Sequence, residues 1–272
     1  MLIVCLGDLL LDVVVRLGEP LCPGADAVAE THAGPGGQAA NVAAWSAALG
    51  ARARFVGKRG DDAAGRLVDT QFRGLGVDLC GPVVPGRNGI VVSLVDSDGD
   101  RTMASDRGVA PELEPAELDA AWFDGADALH VSGYSLMRTP IDRAAIHATR
   151  LARAGGTRIS IDLSAWTRIR DFGPVAFRER VDEIAPDLIF ANEAEWEIVG
   201  GAYALARTAV IKRGARGISV VGEQVAELPV VPGEVVDSTG AGDALAAGFL
   251  VGGPELAVEA AARCVAKLGT MP

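Results

Sequence analysis

Short apolar strands alternate with amphipathic helical stretches along almost the whole chain. This rhythm constrains the fold more than any other feature. Residues 2–6 form an apolar run ending at Gly7-Asp8 and read as a strand buried on both faces. Residues 53–56, 128–131, 159–161, 188–190, 209–211 and 218–221 repeat the pattern. Helical periodicity fills several intervals, at 38–49, 64–75, 115–122, 139–154, 174–184 and 193–199. Strands alternating with helices predict an α/β fold: a mainly parallel sheet, helices on both faces, right-handed crossovers. The 272 residues suit one large domain spanning 1–272. Two segments break the rhythm. Residues 13–33 alternate without helical spacing. Residues 88–107 read as a hairpin turning at Asp96-Ser97-Asp98-Gly99-Asp100. Together they predict a small β-layer covering a ligand held at the carboxyl ends of the parallel strands.

Composition narrows the function classes. The net charge is −11 and no lysine or arginine run forms a basic stripe, so nucleic acid is excluded as a partner. Cysteines stand at 5, 22, 80 and 264 with no C-x-x-C spacing; they read as buried free thiols of a reducing compartment. The N-terminus enters a strand directly, without a secretion signal. No uninterrupted apolar run reaches about 18 residues, so no membrane span is expected. A cytoplasmic protein is the expectation.

The string Asp237-Ser238-Thr239-Gly240-Ala241-Gly242-Asp243 carries the chemistry. Glycines 240 and 242 permit a tight turn and close backbone approach. The apolar run that follows predicts a helix, whose first N–H groups and positive dipole end suit an anion. A carboxylate at Asp243 would repel a bound phosphate. It makes sense as a base that takes a proton from an attacking hydroxyl while amides hold the charge on a transferred phosphoryl group. A second glycine-rich stretch, Gly34-Pro35-Gly36-Gly37-Gln38-Ala39-Ala40-Asn41, opens another helix. Gln38 and Asn41 are three apart on one face, and neutral amides suit sugar hydroxyls. Asp12, after the first strand, can accept two hydroxyl hydrogen bonds. His32, His130 and His147 show no metal spacing and read as structural. The turn after the first strand lacks G-x-G-x-x-G, which excludes a dinucleotide-dependent oxidoreductase.

Taken together, these stretches resemble the ribokinase family, also called the phosphofructokinase-B family of carbohydrate and nucleoside kinases. Gly36-Gly37 with Asn41 matches its N-terminal signature, and residues 57–65 look like the strand-turn-helix that follows. Asn192-Glu193-Ala194-Glu195 matches N-x-x-E, Lys212-Arg213-Gly214-Ala215-Arg216-Gly217 resembles the glycine turn near the nucleotide, and Asp237 to Asp243 matches the C-terminal signature. The resemblance implies a ribokinase-like three-layer α/β/α domain with a small β-sheet lid, one that often pairs two subunits into a homodimer. It implies Asp243 as general base, with Gly240, Ala241 and Gly242 forming the anion hole. Asp12, Gly36, Gly37, Gln38 and Asn41 would hold the sugar. Asn192, Lys212, Gly214 and Gly217 would lie along ATP, with Cys264 on the final helix near the adenine. Glu195 would act on Mg2+ through water. Asp237 and Thr239 would help bind a monovalent cation, usually K+, together with carbonyls near Leu268-Gly269-Thr270-Met271-Pro272.

For the acceptor, the residues leave alternatives. Gln38 replaces the lysine often found in ribokinases proper. Residues 102–108 resemble lid segments of 2-keto-3-deoxygluconate kinases, and there Arg107 would meet a substrate carboxylate. Yet Asp162-Leu163-Ser164-Ala165-Trp166 lacks the second arginine of such a clamp. Trp166 can stack on a nucleoside base, or be core. A small sugar, a sugar acid or a ribonucleoside is the expected substrate. A non-catalytic sugar or nucleotide sensor on the same fold is the more distant alternative.

Overall fold

A computed structural model of the chain describes residues 1–96, 101–201, 205–223 and 225–272. Strand β1 (Leu2–Leu6) is buried along its whole length because each face has an apolar layer to meet. Ile3 and Cys5 enter one core cluster, while Leu2, Val4 and Leu6 enter the other. Next in chain order come β2 (Leu10–Leu17), β3 (Ala29–Gly36), β4 (Arg52–Val56), β5 (Arg59–Gly60), β6 (Val77–Cys80), β7 (Val83–Val84), β8 (Asn88–Val95) and β9 (Arg101–Gly108). The remaining strands are β10 (Ala128–Ser132), β11 (Arg158–Asp162), β12 (Leu188–Asn192), β13 (Thr208–Lys212), β14 (Ile218–Gly222) and β15 (Ala226–Leu228). The α-helices are α1 (Gln38–Ala48), α2 (Ala63–Gly74), α3 (Ile141–Ala154), α4 (Trp166–Phe172), α5 (Pro174–Ile184), α6 (Glu193–Ile198), α7 (Ala241–Gly252) and α8 (Pro254–Val265).

Nine strands form the main sheet in the order β15-β14-β13-β12-β11-β10-β1-β4-β6. It is parallel from β13 to β6, and β14 and β15 add an antiparallel edge. Helices α1, α7 and α8 cover one face; α3 and α5 cover the other. The chain leaves β1 toward β4 on one side and later returns to β10 on the other. The carboxyl ends of β1 and β10 therefore flank the crevice where open α/β sheets take ligands.

Both irregular segments join one four-stranded sheet, ordered β3-β2-β8-β9. Its first strand starts earlier than the alternation alone suggests, at Leu10, and β8 starts at the expected Asn88. Of the expected hairpin turn, residues 97–100 lie outside the described residues. The helix expected at 115–122 is instead two 3-10 turns, Pro115–Glu117 and Ala120–Phe123. The physical reason is local capping. Glu114 and Glu117 close a capping box on a single turn, and the Asp119 carboxylate takes the Ala121 N–H and restarts the chain. Helix α4 was not anticipated. Cys5 and Cys264 are buried free thiols as expected, whereas Cys22 is exposed. Among the described residues, no helix is long and apolar enough to cross a membrane.

Candidate active site

Ser132, Asp162, Asn192 and Lys212 are the last residues of β10, β11, β12 and β13. Parallel pairing brings these four ends into one row. Helix α7 starts above that row. Gly240 precedes it at φ +77°, a left-handed conformation, and a side chain there would meet Thr270 at 3.0 Å. The Asp243 N–H turns back to the Gly240 carbonyl, and the Ala241 N–H reaches Ser238 O only at 3.4 Å. Among the described residues the Gly242 N–H has no backbone acceptor. The Ala241 and Gly242 amides at this helix start can take an anion.

Helix α1 starts beside α7. Gly37 at φ +106° makes that entry: a Cβ there would lie 2.4 Å from the Asp8 carbonyl. The turn delivers Asn41, whose Nδ2 donates to Asp243 Oδ2 at 2.7 Å across 202 residues of sequence. Asn41 is buried, and its Oδ1 has no protein partner among the described residues. Gln38 Oε1 accepts from Ser132 Oγ at 2.5 Å and Ser164 Oγ at 2.7 Å. Both hydroxyls occupy its carbonyl, which leaves its NH2 group to donate.

Lys212 Nζ donates to Asp162 Oδ2 at 2.6 Å, with Asp162 fully buried and the lysine side chain 16 % exposed. Burial works against the lysine's charge. The Asp162 and Glu195 carboxylates outweigh it and hold its pKa above the ordinary lysine value. A methyl on Gly242 would lie 3.2 Å from Lys212 Nζ, so the ammonium rests against the first turn of α7. Asn192 and Glu195 form a closed capping box at α6: Asn192 Oδ1 takes the Glu195 N–H, and the glutamate accepts from Asn192 N and Nδ2.

Glu195 is 2 % exposed. Burial pushes its carboxyl up to about 7 from 4.5, and the neighbouring Lys212 only partly offsets this. Between those values the folded state holds a proton that the unfolded chain has released, so stability falls as pH rises through that window. Thermal unfolding of the ligand-free protein from pH 4.5 to about 7 is expected to show that fall. Glu195→Gln is expected to flatten it; an equal slope in the variant would assign the fall to other groups.

Most of these groups, though not Asn41, Ser132 or Asp162, line one cavity of about 770 Å³. Its polar end holds Gln38, Ser164, Asn192, Glu195, Lys212 and the 240–243 turn; its apolar end is walled by Val230, Val231, Val235, Val258, Ala261 and Val265. Gly214 and Gly217, in the turn between β13 and β14, lie along it. Several expected residues stand elsewhere. The Cys264 thiol turns inward to the Thr239 carbonyl at 3.4 Å and does not line the cavity. Asp12, packed under Gly36, lines a separate cavity of about 370 Å³ beside His32 and the 267–272 segment. Trp166 is neither core nor cavity wall: it is 42 % exposed with Arg170 stacked on it at 5.4 Å. His130 is structural, buried against Ser160 and held at about 4 by burial.

Asp237, expected at a monovalent cation, is held by protein donors in this ligand-free structure. One carboxylate oxygen accepts the Thr239 N–H and hydroxyl, and the other accepts the Gly269 N–H at 3.0 Å. The Thr270 carbonyl is taken by Trp45 Nε1 at 2.9 Å. These bonds fix the 237–239 turn against Gly269 and tie Thr270 to Trp45. Glu195 does fit a hydrated Mg2+. Its two oxygens already hold Asn192, which leaves lone pairs for the ion's water, and Mg2+ keeps several waters and needs few carboxylates.

Sequence reading missed Asp8, Ser132, Asp162 and Ser164 as site residues. Their signal was weak: each ends or follows a strand, and only sheet order makes the ends neighbours.

Comparison with known proteins bears on the family and the fold. The chain is 33 % identical over 272 residues to an ATP-dependent ribose-1-phosphate kinase of Halopiger xanaduensis, covering 93 % of this chain and 86 % of that one. In fold it matches an adenosine kinase from Sinorhizobium meliloti (TM-score 0.87, 24 % identity, 99 % and 95 % coverage). It also matches a sugar kinase from Pyrococcus horikoshii solved in complex with ATP (TM-score 0.83, 21 % identity, 100 % and 95 % coverage). Residues 1–271 match the family described as pfkB family carbohydrate kinase, and the chain belongs to that family.

Proposed function

We propose that this kinase transfers the γ-phosphoryl group of ATP to a hydroxyl of a small sugar or nucleoside, with Asp243 as general base. The observation that carries the reading is the 2.7 Å contact between Asn41 and Asp243, which unites the two glycine-rich turns at one point. The acceptor hydroxyl lies at Asp243, with Asn41 Oδ1 and the Gln38 amide as its polar neighbours. As the hydroxyl oxygen bonds to the γ-phosphorus, Asp243 takes its proton, the bond to the β–γ bridging oxygen breaks, and ADP leaves. The Ala241, Gly242 and Asp243 amides hold the equatorial oxygens. Lys212 exchanges part of its contact with Asp162 for the phosphate. Mg2+, bound through water at Glu195, would neutralise charge on the phosphates. The apolar end of the cavity takes the adenine. Two subunits pair through the small sheet, where Ile90 and Met103 are exposed, with Val28 exposed just before β3.

The test is ADP release from MgATP across ribose, fructose, adenosine, cytidine, 2-keto-3-deoxygluconate and ribose 1-phosphate. Acceptor-dependent ADP is expected. Tight binding of an acceptor with no ADP would favour the sensor reading instead.

A further inference from the structure

The arginine that sequence reading assigned to a substrate carboxylate is engaged by the protein itself. Arg107, in β9, donates from Nε to Asp8 Oδ2 at 2.5 Å and from Nη2 to Asp8 Oδ1 at 2.9 Å. Its Nη1 donates to the Tyr134 carbonyl at 3.2 Å. Each guanidinium nitrogen therefore has an acceptor, and two of the three bonds form a bidentate fork with a carboxylate. The pair is nearly dry, with side-chain exposures of 17 % for Arg107 and 9 % for Asp8.

This pair does not line the 770 Å³ cavity but joins its Gln38 end through hydrogen bonds. Asp8 follows β1, at the crevice beside β10. Its carbonyl is packed under Gly37, the residue that launches Gln38 and Asn41. From Arg107 the network runs through Tyr134, whose N–H donates to Ser164 Oγ at 3.2 Å, and on to Gln38 Oε1. An anionic acceptor reaching for Arg107 would meet the Asp8 carboxylate. Displacing it would leave a nearly buried carboxylate unpaired.

We infer that Asp8 is a specificity-determining residue: by neutralising Arg107 it directs this kinase to uncharged acceptors and away from sugar acids and sugar phosphates. The inference rests on the kinase reading above and deepens it. No strand-and-helix pattern carried this information, since Asp8 and Arg107 are 99 residues apart.

The experiment compares the full-length protein with Asp8→Asn and Asp8→Ser. Equilibrium binding and initial rates are measured for ribose, fructose and adenosine, and for 2-keto-3-deoxygluconate and ribose 1-phosphate. Wild type is expected to prefer an uncharged acceptor. Both variants are expected to lower KM and Kd for the anionic acceptors about ten- to hundredfold, the value of one freed charge-assisted contact. The gain is expected to vanish in Asp8→Asn/Arg107→Gln, a result that a merely structural role for Asp8 would not produce. Tighter wild-type binding of either anion than of every uncharged acceptor would overturn the inference. So would unchanged anion affinity in two folded variants. Binding is read without turnover, so a protein that made no ADP would fail the kinase reading while still deciding this one.

Discussion

Asp243→Asn is expected to lower turnover about 10²–10⁴-fold, the usual contribution of a positioned general base. The effect is expected in kcat, with ATP and acceptor affinities close to wild type. The reason is geometric. Asparagine has the shape of aspartate, and its side-chain oxygen can still accept the Asn41 Nδ2 hydrogen that Asp243 accepts at 2.7 Å. The turn before it is held by Gly240 and by the backbone, so the amides keep their aim. What the variant loses is the ability to take a proton. Single-turnover kinetics alongside equilibrium binding separate the two quantities. A variant with near-normal kcat would remove Asp243 from the role of base; a variant that lost ATP binding would make it a structural residue of the turn.

The second large effect is expected at Lys212. Lys212→Met leaves the fully buried Asp162 carboxyl without its 2.6 Å partner. Breaking a buried ion pair from one side costs about 3–5 kcal/mol. In a chain of this size each kcal/mol lowers Tm by a few degrees, so a fall of about 10 °C is expected. The double variant Asp162→Asn/Lys212→Met removes both charges and is expected to recover part of that loss. ATP affinity separates the phosphate role from the structural one. It should stay weak in the double variant even where stability returns, because no cation then faces the first turn of α7. Restored ATP affinity there would limit Lys212 to holding the sheet ends together.

Much of the architecture is legible in the residues because burial imposes simple periods. The unbroken apolar run of β1 announces a strand covered on both faces, and 174–184 reads directly as α5. Local capping decides the cases that periodicity misreads. At 115–122 the spacing is helical, but Glu114, Glu117 and Asp119 satisfy backbone donors one turn at a time, so no α-helix propagates. Trp166 shows the limit of reading side chains by type. Aromatic area alone predicts core or stacking on a ligand, yet the residue opens α4 at the surface under Arg170.

The α/β alternation and the two glycine turns are carried by the sequence alone, and on them rests the proposal of Asp243 as the base. These depend on neighbours a few residues apart: strand and helix periods, positive φ at glycine, and unpaired amides at a helix start. Only the tertiary structure decided which groups meet. Sheet order set Ser132, Asp162, Asn192 and Lys212 side by side. The return of the chain brought Asn41 to Asp243, and the small sheet carried Arg107 onto Asp8. Charge pairing and desolvation act through space, so whether Arg107 is available to a substrate or neutralised by Asp8 is a property of the folded crevice and not of either segment alone.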